Sequence, residues 1–206
     1  MSKILNIVFD FGGVILTDDD TGVLVDNDEL IKKYGSNRQF FVEAWDRNWD
    51  SIGENKIGIV DFYSKLQKEV VGSVDEKFSK RLFEIYKEKT QTLEPFYLLP
   101  KLKEKYNLFA LTNIFKEGLE FKRQKYNLDA FFPTIIASCD SQVSKPGQKI
   151  FKILVESTNI RPEETLFIDN SEKNIKTAKA LGFRTCLYTG IVSLKKEFEK
   201  IGISYE

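Results

Sequence analysis

Across residues 107 to 206, short apolar runs alternate with segments of helical periodicity, and this alternation restricts the fold more than any other feature of the chain. Leu108–Leu111 (LFAL) stops at Thr112 and Asn113, and Thr134–Ala137 (TIIA) stops at Ser138. Thr165–Ile168 (TLFI) stops at Asp169 and Asn170, and Thr185–Tyr188 (TCLY) stops at Thr189 and Gly190. A run without polar alternation has no solvent face, so it reads as a strand covered on both sides. Between these runs, Ile150, Phe151, Leu154 and Val155 share one helical face, and Ile175, Ala178 and Leu181 share another before Gly182. Strand and helix in alternation imply an α/β fold, a Rossmann-like parallel sheet with helices on both faces, and polar residues at the strand ends converge on one rim.

The run Ile4–Phe9 (ILNIVF) ends at Asp10 and a Gly-Gly pair and reads as a further buried strand of the same sheet. Residues 16 to 90 break the alternation. Ile59, Phe62, Tyr63, Leu66 and Val70 keep the spacing of an amphipathic helix, as do Phe78, Leu82 and Ile85, while Phe40, Phe41, Ala44 and Trp45 form an earlier stripe. These spacings predict an inserted helical cap over 16–90 and a core built from 1–15 and 91–206. Pro95 and Pro100 mark the return to the core.

Lys plus Arg and Asp plus Glu both number 31, so no net positive field favours a nucleic-acid partner. The first residues match neither a signal peptide nor a membrane span, which predicts a cytoplasmic protein without a membrane partner. Two cysteines, Cys139 and Cys186, are too few for a disulfide framework, and with no His in the chain the usual His-containing zinc sites are excluded. Nothing in the sequence specifies an oligomeric state.

The candidate chemistry therefore rests on the strand ends. Asp10 precedes Gly12 and Gly13, whose backbone N–H groups suit a bound anion. Thr112 offers a hydroxyl and Asn113 an amide to phosphoryl oxygens. Lys145, in the loop just before a helix whose first turn would hold Pro146, would neutralise negative charge. Asp169, Asn170 and Ser171 offer oxygen ligands for a hard cation such as Mg²⁺. Each has a plainer reading: a turn Asp, two helix N-caps and a solvated loop lysine. Their occurrence together, in order along one sheet rim, is what carries weight.

In that order they resemble the motifs of the haloacid dehalogenase superfamily. FDFGGV at 9–14 is similar to its nucleophile loop, LTN at 111–113 to its strand-end Ser/Thr, KPGQKIF at 145–151 to its lysine motif, and FIDNSEKN at 167–174 to its acidic metal motif. The resemblance is greatest to sugar-phosphatase-like members with a helical cap after the first motif. It implies a phosphatase of a small phosphorylated metabolite, with Asp10 as nucleophile, Lys145 and Thr112 offsetting charge, and Thr112, Asn113, Lys145 and Gly13 holding the phosphate. It also implies Mg²⁺ bound by Asp10, the Gly12 carbonyl, Asp169 and Asn170, with Asp169 either completing that site or holding Lys145.

Two positions depart from the family pattern. Gly12 stands where the family's second Asp acts as general acid, and Asn170 stands where a second carboxylate is usual. These departures keep open a non-catalytic anion- or protein-binding member, and a metal-independent 2-haloacid dehalogenase, against which Asp169 and the acidic triplet Asp18, Asp19 and Asp20 argue. Cys139 lies six residues before Lys145, but the intervening segment lacks the glycines of a phosphate cradle and reads as structural. Trp45 and Trp49 read as packing residues of the cap rather than as a pocket wall.

Overall fold

The computed structural model describes residues 3–17, 28–34 and 38–205. Its sheet holds β1 (Asn6–Phe9), β2 (Asn107–Thr112), β3 (Ile135–Ala137), β4 (Thr165–Asp169) and β5 (Arg184–Leu187) in the order β3-β2-β1-β4-β5. All neighbouring strands are parallel, with Val8 in register with Phe109 on one side and with Phe167 on the other. The expected strands are present, shifted by one or two residues at their ends. Connections from β1 lead first to one side of the sheet and later to the other, so a crevice opens at the carboxyl end of β1.

Successive strand residues point to opposite faces, and the packing follows that rule. Ile7, Phe9, Leu108, Ala110, Leu166 and Ile168 join one buried cluster. Val8, Phe109, Leu111 and Phe167 join another, with Ile150, Phe151 and Leu154. Both faces of the sheet are thus covered, which is why its strands lack polar alternation.

Residues between the first two strands form α1 (Asp28–Tyr34), α2 (Arg38–Gly53), α3 (Ile59–Val71) and α4 (Glu76–Lys89). Phe41, Ala44, Trp45, Ile59, Phe62, Tyr63, Leu66, Phe78, Leu82 and Ile85 build a separate apolar cluster. Phe40 departs from expectation: it is 54% exposed, because the buried stripe of α2 runs through Phe41, Ala44, Trp45 and Ile52 and residue 40 falls one residue step off it. Asp75 caps α4 by accepting the Phe78 N–H at 3.0 Å. The two chain crossings into this region run side by side, Thr17 N–H donating to Gln91 O and Leu93 N–H to Ile15 O, both at 2.9 Å. The acidic triplet Asp18, Asp19 and Asp20 lies outside the described residues.

After the short α5 (Leu99–Lys103) come α6 (Lys116–Tyr126), α7 (Ser138–Ser141), α8 (Gln148–Thr158), α9 (Glu172–Ala180) and α10 (Ile191–Ile201). Pro146 is not in the first turn of a helix as the sequence suggested: α8 begins at Gln148 after Gly147, and the Lys145–Pro146 bond is cis. The entrance to α6 is shared between the two apolar bodies, because Phe115 packs with Tyr86 in the inserted helices at a ring separation of 5.1 Å. Among the described residues, no helix is long and apolar enough to cross a membrane.

Candidate active site

Asp10 leaves the central strand with its backbone still in the sheet, its N–H donating to Ile168 O at 3.0 Å. The next turn closes tightly, with the N–H groups of Val14, Ile15 and Leu16 all directed to Phe11 O and Gly13 N–H donating to Leu16 O. The left-handed residue of this loop is Gly13, at φ +72°, and a Cβ there would collide with Asn170 Nδ2. The left-handed backbone favours glycine at 13, and a Cβ there would also have to displace the Asn170 side chain.

Lys145 is the centre of the charge arrangement. Its Nζ lies 3.0 Å from Asp10 Oδ1 and 2.7 Å from Asp169 Oδ2, with its side chain 1% exposed. Asn113 positions it: Asn113 Nδ2 donates to Lys145 O at 2.9 Å, and Lys145 N–H donates to Asn113 Oδ1 at 2.8 Å. Thus the Asn113 amide is committed at both ends to the lysine backbone. Ser138 holds the neighbouring loops together by accepting the Ile114 N–H at 3.0 Å and donating to Ile114 O at 3.2 Å.

Asp169 is fully buried and anchored by further donors, Ser171 N–H at 2.8 Å and Asn174 Nδ2 at 3.0 Å from each carboxylate oxygen. Its geometry holds Lys145. Asp10, the more accessible of the two acids, accepts the Phe11 N–H at 2.6 Å. Burial pushes its carboxyl up to about 6; the Lys145 ammonium opposes that shift and the Asp169 charge adds to it. Above that value the ionised form predominates.

A cavity of about 260 Å³ opens over these groups. Of the residues singled out from sequence, Asp10, Gly12, Thr112, Asn113, Lys145 and Asn170 line it. Gly13 sits beneath the Asn170 side chain and Asp169 behind Lys145. Thr112 is not a helix cap, since α6 starts only at Lys116 after Phe115. Ser171 is the residue before α9 but makes no side-chain capping bond.

The wall also contains residues that sequence reasoning did not place there: Trp45, Trp49, Lys122 and Asn174. The two tryptophans stack at 5.9 Å and face the cavity as well as packing in the inserted helices. Asn174 had a local signal, lying five residues past Asp169 within the FIDNSEKN segment. Lys122 had none. Cys139 is buried, and burial pushes its thiol up to about 12, the opposite of a poised thiolate.

Known proteins share this arrangement of elements. The chain is 26% identical over 196 residues to the D-ribitol-5-phosphate phosphatase of Bacteroides thetaiotaomicron, an alignment covering 88% of this chain and 90% of that one. A HAD family enzyme of the same organism, solved in complex with magnesium and inorganic phosphate, superposes with TM-score 0.70 at 23% identity over 91% of this chain and 95% of that chain. The L-2-haloacid dehalogenase of Xanthobacter autotrophicus, solved with chloropropionic acid covalently bound, superposes with TM-score 0.66 at 16% identity over 98% and 84%. At those identities the two structures establish the shared fold. Residues 4–182 match the family model for haloacid dehalogenase-like hydrolase, and with four motif segments meeting at one rim, the chain belongs to the haloacid dehalogenase-like hydrolases.

Proposed function

We propose that this hydrolase is a phosphomonoesterase of a small phosphorylated metabolite, working through an aspartyl-phosphate on Asp10. The observation that carries the reading is Lys145 held between Asp10 and Asp169 on the wall of a polar cavity beside Thr112. A cavity of about 260 Å³ suits a compact substrate rather than a phosphoprotein. Full-length similarity to a polyol-phosphate phosphatase supports the same class.

In this mechanism an Asp10 carboxylate oxygen forms a bond to phosphorus while the bond to the leaving alcohol oxygen breaks. Lys145 and the Thr112 hydroxyl lie against the charge that develops on the phosphoryl oxygens. Water then attacks phosphorus, the bond to Asp10 breaks, and inorganic phosphate leaves. Gly12 contributes no side chain to protonate the leaving oxygen, so good leaving groups react with the least handicap. We propose residues 1–15 and 91–206 as the catalytic core and 16–90 as a cap that closes over it.

The donor set fits Mg²⁺ held loosely. Among the described residues no group of three His, Cys, Asp or Glu side chains converges on a metal position. Asp10, Gly12 and Asn170 border the cavity, with Asp169 behind Lys145. That set suits an ion that keeps several waters and shares substrate oxygens, as Mg²⁺ does. When bound, the ion supplies positive charge to the transferring phosphoryl group.

The test is phosphate release from a panel of sugar and polyol phosphates and p-nitrophenyl phosphate, with Mg²⁺ and with EDTA. Turnover should require Mg²⁺ and disappear in a folded Asp10→Asn variant. Binding of phosphate analogues without turnover of any substrate would instead favour a non-catalytic anion-binding member, the reading that Gly12 and Asn170 keep in play.

A further inference from the structure

The cavity is bordered by two buried lysines with opposite circumstances. Lys145 has Asp10 and Asp169 within ion-pair distance, so its charge is matched inside the protein. Lys122, on α6, is 2% exposed yet lines the same cavity. Among the described residues it forms no ion pair. Its ammonium lies over the face of Tyr86, with Nζ 5.4 Å from the ring centroid. A cation–π contact stabilises an ammonium only modestly, whereas removing that ammonium from water without a counter-charge is costly. The cavity is a wet surface that Lys122 borders, so an anion there completes its surroundings.

Its position separates this role from the phosphoryl-transfer chemistry. Lys122 lies six residues into α6, roughly 9 Å of helix beyond the Lys116 end. Tyr86, which holds it, belongs to α4 in the inserted helices, and Trp45 and Trp49 of α2 form the neighbouring wall. The scissile phosphate of the proposed reaction belongs at Asp10, Thr112 and Lys145, at the strand ends. We infer that Lys122 is a specificity residue that binds a second negatively charged group of the substrate, selecting small phosphomonoesters that also carry a carboxylate or a second phosphate. This deepens the phosphatase reading, on which it rests for the identity of the first group. It also separates this chain's preferred substrates from simple polyol monophosphates.

A binding test does not require turnover. The probes are 3-phosphonopropionate and propylphosphonate, which share a non-hydrolysable phosphonate and differ by a carboxylate. The chain's two tryptophans, Trp45 and Trp49, both line the cavity, so intrinsic fluorescence reports occupancy. In Mg²⁺ buffer the wild type should bind the carboxylated probe at least about tenfold more tightly, as expected for a charge pair formed out of bulk water. Lys122→Met, similar in length and apolar, should lose that preference, and Lys122→Arg should keep most of it. Near-ultraviolet circular dichroism checks that both variants are folded. Equal affinity of wild type for the two probes, failure to bind either, or an equal loss on both probes in Lys122→Met would overturn the inference. Preference for the carboxylated probe in a protein that hydrolyses no phosphomonoester would sink the phosphatase reading while leaving Lys122 as an anion-binding residue.

Discussion

Replacing Lys145 by Met leaves the Asp10 and Asp169 carboxylates facing each other without the ammonium that now lies 3.0 Å from one and 2.7 Å from the other. Asp169 cannot turn to water, being fully buried and fixed by Asn174 and the Ser171 N–H. Breaking a buried ion pair by removing one partner costs about 3–5 kcal/mol, and here a single removal orphans both acids. For a chain of this length each kcal/mol moves the melting temperature by about 2–4 °C, so Lys145→Met should lower it by roughly 6–20 °C. The assay is thermal unfolding in EDTA, so that no added dication replaces the ammonium. Because the penalty comes from two like charges, adding Asp169→Asn should recover about 1–2 kcal/mol, a non-additivity typical of contacting residues. A melting temperature within about 2 °C of wild type in Lys145→Met, or strict additivity in the double variant, would show that the triad is not electrostatically coupled.

Three shorter expectations follow from the same geometry. Gly13→Ala should destabilise by at least about 1–2 kcal/mol in urea unfolding, since it adds a left-handed Ala and displaces Asn170; an unchanged midpoint would contradict the loop conformation. Gly12→Asp should raise kcat/KM for sugar phosphates by about tenfold or more and for p-nitrophenyl phosphate much less, and more so with Asn170→Asp, since a general acid helps poor leaving groups most; equal change on both substrates refutes that role. Burial raises the Cys139 thiol to about 12 and the Cys186 thiol to about 11, so at pH 8 only about 10⁻⁴ and 10⁻³ of each is thiolate. Both should react with a disulfide reagent only on unfolding, and rapid labelling of native protein would refute their burial.

Much of the framework was already legible along the chain. Strands such as Val8–Phe9 and Leu166–Ile168 are apolar without alternation because both sheet faces are covered, and that requirement is written locally in residue type. The polar residues ending those strands were legible for the same reason: a parallel sheet brings its carboxyl ends together wherever its helices lie. The helical stripes of the insertion were equally plain, though Phe40 showed how one residue step separates a buried from an exposed position.

Packing decided the rest. Whether Asp169 would hold a metal or a lysine depended on where the Lys145 loop falls, and the amide of Asn113 fixes that loop through contacts 32 residues away. Which glycine of the pair takes the left-handed backbone was decided by how the loop closes on Phe11 O and Leu16 O, and that loop packs against Asn170, 157 positions beyond Gly13. Trp45, Trp49 and Lys122 carry no local mark of a site, because side chains with the same helical spacing serve equally well as core. They become cavity residues only when α2 and α6 are set against the sheet rim, an arrangement fixed by long-range contacts such as Tyr86 against Phe115. Periodicity along one segment specifies which face is buried; what that face is buried against is a property of the whole fold.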